Sequence, residues 1–209
     1  REHTYRVVSF ASMIARGLRW PDDEVRLAEA MAWLHDAGRF SQIREFKTLL
    51  DARSVNHAAR ACEIIGQHGL LDPLAPDEAQ CIRACILAHN QPTLPEILTD
   101  RERRFARLLR DADKLDILAT MQDAVRTGSI RKNPEVALHL SLDNRINPEL
   151  VQQIGQGRPG SYRHMHTLGD FFLVQMSWVY DFNYAPTCRH LVENRTMENL
   201  RSLLPDTEE

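Results

Sequence analysis

The sequence predicts an all-α protein. Three observations carry that prediction: apolar residues recur at three- and four-residue spacing over most of the chain, helix start and stop signals bracket those stretches, and no run alternates apolar and polar residues as a half-buried strand would. No internal repeat or low-complexity tract is present. At 209 residues the chain is long enough to bury one sizeable core. It reads as a single domain over residues 1–209, with a core from 1 to about 125 and a helical extension from about 126 to 209.

From Glu2 onward, Val7, Phe10, Ala11 and Ile14 keep helical spacing, and Gly17 closes the first helix. His3 lies four residues before Val7 and therefore points inward with the apolar stripe. Pro21-Asp22-Asp23-Glu24 opens a second helix whose apolar face is Ala28, Met31 and Ala32. His35 falls seven residues after Ala28 on that face, Asp36 follows it, and Gly38 reads as the stop. The polar, basic segment holding Arg39, Arg44, Lys47 and Arg53 reads as a loop.

Ser54 reads as the N-cap of a third helix that turns His57, Ala61, Ile64, Ile65 and, at its end, His68 inward. Pro76-Asp77-Glu78 opens a fourth, with Ile82, Cys85, Ile86 and His89 on one face. Pro92 and Pro95 mark a loop, and Thr99-x-x-Glu102 is a capping box for a long fifth helix running to about Val125. Phe105, Leu108, Leu109, Ala112, Asp116 and Ala119 trace its face, with Asp113 on the shoulder. Past Gly128 the pattern weakens. It gives a short helix from Pro134 to about Leu142, a Gly-rich stretch at Gly155 to Gly160, an apolar helix from Leu168 to Phe182 and a closing helix near Leu191 to Leu203.

Composition excludes several classes. A net charge of -3 and a pI near 6.3 speak against a stable nucleic-acid partner, which a basic stripe would mark. The four cysteines, Cys62, Cys81, Cys85 and Cys188, form neither a Cys-x-x-Cys pair nor a disulfide framework, which fits a reducing cytoplasm. Cys81 and Cys85, at i and i+4, read as packing. The longest apolar run, around Phe171 to Val179, is too short to span a bilayer, and no signal peptide is visible. That run has two expected uses, covering the core or forming a homodimer seam. The chain begins at Arg1, already in helical pattern, which points to a missing N-terminal piece. Trp178, Tyr180, Phe182 and Tyr184 read as core filling.

Chemistry enters through the inward polar residues. Any one buried histidine reads as a hydrogen-bonded core residue. Four of them, His3, His35, His57 and His89, with Asp36 and Asp113, amount to six nitrogen and oxygen donors from five helices, and together they read as a metal site. His164-x-His166 sits in a polar, Gly-rich stretch and reads as surface; His68, His139 and His190 also keep an ordinary reading.

The order His3, His35-Asp36 and then Asp113 within Arg110-Asp111-Ala112-Asp113-Lys114-Leu115-Asp116 resembles the HD-domain superfamily of metal-dependent phosphohydrolases. The flanking residues Leu34-His35-Asp36-Ala37-Gly38-Arg39-Phe40 strengthen the likeness, which covers roughly His3 to Asp123. It implies a helical bundle with added C-terminal helices, and a metal held by His3, His35, Asp36 and Asp113. By the same likeness Asp113 is the fifth-helix acid at the ligand position, and Asp111 and Asp116 read as supports. His57 and His89 match the two extra histidines of two-metal members, in which the Asp of the pair, here Asp36, bridges both ions.

The resemblance also implies one or two divalent ions (Mn, Mg, Fe, Zn or Ni), with two favoured, and hydrolysis of a phosphomonoester or phosphodiester in a nucleotide or other small phosphorylated substrate. Asp36 is the central catalytic candidate; Arg39 and Lys114 read either as groups that neutralise phosphate oxygens or as ordinary solvated charge, and Asn90 either as a group that orients substrate or water or as a helix C-cap. The chain lacks the Gly-Tyr-Pro signature of the HD-GYP branch, which speaks against cyclic dinucleotide hydrolysis. Two alternatives share the ligand set: a di-iron oxygenase, and a ligand-sensing domain without turnover.

Overall fold

The computed structural model describes residues 2–132, 138 and 140–204. Among the described residues the structure is helical, with no strand beyond one isolated bridge between Ser141 and Thr167. Two compact units divide the chain. The first is the chain up to Asp116 together with Asn183–Thr187; the second is Ile117–Phe182 with the chain from Cys188 onward.

The first unit contains α1 (Glu2–Gly17), α2 (Asp22–Leu34), α3 (Ala37–Phe46), α4 (His57–Gln67), α5 (Pro76–His89) and the first part of α6 (Asp100–Arg126). α1 packs on α2, α3 on α4, and α5 on both α2 and α4. The apolar stripes read in the sequence meet here: Ile14, Met31, Ile65, Ile82, Ile86, Phe105, Leu108 and Leu109 are all essentially fully buried. Each such side chain contributes roughly 1.5–3 kcal/mol by leaving water, which gives the polar cluster a rigid mount.

Helix ends place the polar residues. The capping box forms as the sequence predicts: Glu102 N–H donates to Thr99 Oγ1 at 3.2 Å, and Thr99 N–H to Glu102 Oε2 at 2.9 Å. Arg110 is buried and donates to the carbonyls of His89 (3.1 Å), Gln91 and Pro92 (3.4 Å), closing the C-terminus of α5. Asp111 is fully buried; it accepts from the backbone N–H groups of Asn183 and Tyr184 at 3.1 Å each and from Thr187 Oγ1 at 2.8 Å, which fixes the returning segment 183–187.

Several expectations are corrected. Gly38 does not stop a helix; α2 ends at Leu34 and Gly38 lies inside α3. A Cβ there would stand 2.2 Å from the His57 carbonyl oxygen and 2.8 Å from Ala61 N, so the glycine lets α3 lie against the α4 backbone. The segment read as a loop from Arg39 to Arg53 is α3 followed by a 3-10 turn at Asp51–Arg53. α3 escaped notice because only Gly38 and Gln42 are buried on it, while Phe40, Ile43 and Phe46 face out. Asn56, not Ser54, caps α4, accepting from Ala59 N–H at 3.0 Å; the Ser54 hydroxyl donates to the Leu50 carbonyl at 2.8 Å. On α6 it is Leu118 that is buried, and Ala119 is exposed.

The second unit holds α7 (Pro148–Gly155), α8 (Leu168–Ser177), most of α9 (Ala185–Glu193) and α10 (Thr196–Arg201), with α8 packed on α7 and α10. α8 opens on a capping box between Thr167 and Asp170. The sequence reading missed α7 and ran two helices too long. The apolar helix gives way after Ser177 to a 3-10 turn at Trp178–Tyr180, and the closing helix is broken in two by Arg195, whose φ is 49°. Residues 134–137 and 139 of the expected Pro134 to Leu142 helix lie outside the described residues, and 140–142 are not helical. Trp178 is buried as expected, whereas Tyr180 is exposed. Among the described residues no helix is long and apolar enough to cross a membrane.

Candidate metal centre

Five helices deliver the six inward donors, and most of them do so at their ends. His3 stands in the first turn of α1, His35 and Asp36 form the two-residue junction between α2 and α3, His57 begins α4, His89 ends α5, and Asp113 lies within α6. A side chain at a helix end is held by the rigid body behind it without having to cross the packed stripe.

The donors fall into two overlapping sets that share Asp36, and His35, counted here with the first, also lies within 4.8 Å of Asp36 and His89. In the first, His3 Nε2 is 3.4 Å from His35 Nε2, 3.4 Å from Asp36 Oδ2 and 3.3 Å from Asp113 Oδ1. His35 Nε2 is 3.8 Å from Asp36 Oδ2 and 3.6 Å from Asp113 Oδ1. In the second, His57 Nε2 is 3.0 Å from His89 Nε2, and Asp36 Oδ1 lies 3.5 Å from the former and 4.0 Å from the latter. Two ligands each about 2.1 Å from one ion stand about 3.0 Å apart at right angles and about 4.2 Å apart when opposite, so spacings of this size are compatible with donors arranged around cations.

The second nitrogen of every ring is tied down. Nδ1 of His3 donates to Asp116 Oδ2 at 2.6 Å, of His35 to the Ala32 carbonyl at 2.7 Å, of His57 to Asp51 Oδ2 at 2.7 Å, and of His89 to the Ile86 carbonyl at 2.6 Å. These acceptors assign the Nδ1–H tautomer to each neutral ring and turn its Nε2 lone pair into the cluster. Four lone pairs and two carboxylates then converge with no proton donor among them. Positive charge is what such a set accepts.

The electrostatics state the same demand. Burial disfavours a charged His3, yet hydrogen bonds to Asp113, Asp116 and Asp36 outweigh it and push its pKa up to about 12. Asp36 and Asp113 are held well below the carboxylate range: burial opposes their ionisation, but the His35 charge and the His3 bond prevail for both, with Arg39 adding to the effect on Asp36. A proton or a metal cation satisfies these groups. His89 moves the other way: its burial, then the charges of His35 and His57, lower it to about 4, leaving a neutral ring able to donate its lone pair.

Access is one-sided. The side chains of His35, His57 and His89 are 0, 5 and 2% exposed, against 30% for His3 and 19% each for Asp36 and Asp113. The cluster therefore opens to solvent at His3, Asp36 and Asp113.

Around the six donors lie groups that sequence reasoning missed. Asp51, on the 3-10 turn, places its oxygens 2.7 and 2.9 Å from His57 Nδ1 and accepts from Gln42 Nε2 (2.9 Å), Arg39 Nη1 (3.2 Å) and Asn90 Nδ2 (3.1 Å). Its burial would raise its pKa, but the bonds to His57 and Gln42 lower it to about 2. No helical periodicity covers a 3-10 turn, so the pattern gave no signal for it. Arg6 pairs with both oxygens of Asp116; its position three residues after His3, on the same helix face, was the available signal.

The predicted substrate contacts are placed as follows. Arg39 Nε lies 3.4 Å from Asp36 Oδ1, while its Nη1 donates to the Leu49 carbonyl at 2.6 Å and to Gln42 Oε1 at 2.9 Å. Asn90 caps α5, its Nδ2 also donating to Asn56 Oδ1 at 3.1 Å, and its Oδ1 is buried with no hydrogen-bond partner. The charge of Lys114 acts on Asp111, whose pKa is raised by its burial and drawn back by its hydrogen bonds and by this lysine. His68, read as inward at the end of its helix, instead follows α4 as its C-cap and is exposed; His166 is exposed too, His164 Nδ1 pairs with Glu149 at 2.6 Å, and His139 lies outside the described residues.

An all-α frame that gathers imidazoles and carboxylates in this order defines a class of helical metal-binding domains. The HD domain family model matches residues 1–118, and the chain belongs to that family, whose members bind divalent metals. The chain is also similar to a protein of Vibrio cholerae serotype O1 (strain ATCC 39315 / El Tor Inaba N16961) named 3'3'-cGAMP-specific phosphodiesterase 1, at 30% identity over 158 residues. That alignment takes in 72% of this chain and 34% of the Vibrio protein, so the chain spans about a third of that relative's length. No solved structure matches the chain.

Proposed function

We propose that the chain hydrolyses a phosphodiester bond in a small nucleotide, using divalent cations held in two donor sets that share Asp36. The observation that carries this reading is the division of the Asp36 carboxylate, with Oδ2 3.4 Å from His3 Nε2 and Oδ1 3.5 Å from His57 Nε2. His3, His35, Asp36 and Asp113 hold one ion; Asp36, His57 and His89 hold the second. Cations bound there supply a water that ionises near neutral pH and a clamp on the oxygens of an in-line displacement at phosphorus.

The side chains do the rest. Asp36 fixes the spacing of the two sets and accepts a hydrogen bond from the attacking water. Arg39, beside Asp36, and Lys114, next to Asp113 in the chain, neutralise the phosphate oxygens as charge develops, and Asn90 orients the substrate. The substrate class draws on the Vibrio relative, whose name specifies a cyclic dinucleotide. The missing Gly-Tyr-Pro signature argues against that class on three residues; a likeness spread over 158 residues argues for it and carries more weight.

The test is metal content by elemental analysis of protein purified without chelator, with hydrolysis of 3'3'-cGAMP measured on the same samples. Two ions per chain are expected, falling to one in His57→Ala and in His89→Ala, and Asp36→Ala is expected to lower hydrolysis by about a thousandfold or more. Intact hydrolysis in Asp36→Ala would sink the reading. Iron in both positions, with oxygen consumed and no phosphodiester cleaved, would replace it with the oxidative alternative.

A further inference from the structure

The two halves of the cluster are not held alike. The first set contains two carboxylates, Asp36 and Asp113, besides its two imidazoles. The second has two imidazoles and only the far oxygen of Asp36, so it brings little negative charge of its own. A further anion on that side is Asp51, whose two oxygens both face His57 Nδ1.

Asp51 is itself fixed from two directions. Gln42 and Arg39 of α3 donate to its Oδ1, and Asn90, at the end of α5, donates to its Oδ2. Gln42 is fully buried and also donates to Ser54 Oγ at 2.8 Å and to the Val55 carbonyl at 3.2 Å, so it ties the 3-10 turn to the start of α4. The two buried residues of α3 thus serve one end: Gly38 brings α3 against the backbone at His57, and Gln42 holds the carboxylate that orients the His57 ring.

We infer that Asp51 is the positioning residue that decides whether the second cation binds. Its carboxylate fixes the His57 tautomer and makes Nε2 a stronger donor, and it supplies the second set with charge that the first set has from Asp113. Loss of that carboxylate leaves His57 free to rotate or to carry its proton on Nε2, which blocks the second position while His3, His35, Asp36 and Asp113 are untouched. The inference rests on the two-ion reading above.

The experiment is titration of chelator-stripped, full-length protein with Mn2+, following stoichiometry by calorimetry and the pairing of ions by low-temperature electron paramagnetic resonance. Wild-type protein is expected to take two ions that give the signal of a coupled pair. Asp51→Asn, isosteric but uncharged, is expected to keep the first ion, weaken the second about 10- to 100-fold and show the signal of an isolated ion. Asp51→Glu keeps the charge but displaces the oxygens, and is expected to weaken the second ion by up to about tenfold, the lower end of the range for such partners; it serves as the test should the Asn variant not fold. Both variants binding the second ion as wild type does would overturn the inference and leave the two-ion reading standing. Loss of the first ion along with the second would overturn it too. A wild-type protein that takes up a single ion would overturn the two-ion reading and this inference together.

Discussion

Asp116 Oδ2 accepts a hydrogen bond from His3 Nδ1 at 2.6 Å, joining the first turn of α1 to α6. Arg6 holds the same carboxylate, so Asp116 is oriented before it orients the ring. It stands to His3 as Asp51 stands to His57, and each half of the cluster has a carboxylate behind one of its imidazoles.

Asp116→Asn is expected to weaken the first cation by about 10- to 100-fold, because the amide no longer draws the His3 proton to Nδ1. Mn2+ titration of the variant measures this directly. Binding at wild-type strength would show that α1 alone fixes the His3 ring.

The ligand-bearing helices were legible because their histidines share the stripe that packs the core. His35, His57 and His89 fall at the three- and four-residue spacing of Met31, Ala61 and Ile86, and periodicity cannot help but read them as inward. α3 was illegible for the converse reason. Its packed face is a glycine and a glutamine, and its apolar residues point outward, so hydrophobic pattern registers nothing. Asp51 and the Asn56 cap went unread because both depend on the short turn after α3, whose geometry follows from tertiary contacts to Gln42 and Asn90. In the tail the break at Arg195 requires a left-handed φ that nothing in the local sequence announces.

Gly38→Ala carries the second prediction. The added methyl meets backbone at 2.2 Å from His57 O, and backbone cannot swing aside as a side-chain end does. α3 and α4 must separate, at a cost of about 1–3 kcal/mol or more, read as a lower denaturant midpoint. The same shift moves His57 relative to Asp51, so the second cation is expected to weaken alongside stability. A variant with wild-type midpoint and wild-type metal uptake would mean that the two helices tolerate the separation.

The third prediction concerns pH. In metal-free protein burial opposes a charged His3, but its bonds to Asp113, Asp116 and Asp36 push its pKa up to about 12, and His35 is also raised: its burial opposes the shift, but the charge of Asp36 and the bond to Asp113 exceed it. Groups whose folded pKa lies above the unfolded value near 6.5 contribute stability that is whole below that pH and is lost as pH rises, by at most about 1.4 kcal/mol per unit for each. His89, lowered to about 4 chiefly by burial, has the opposite sign: its contribution is whole above pH 6.5 and is lost as pH falls toward 4. The metal-free protein should therefore be most stable near pH 6.5. Cations require the same rings deprotonated, so their binding releases protons and strengthens as pH rises. Melting temperatures measured with chelator and with Mn2+ should draw apart between about pH 6 and pH 8, the first falling while the second holds or rises. A gap that stays constant across that range would mean that the cluster's protons and the cations do not compete for the same lone pairs.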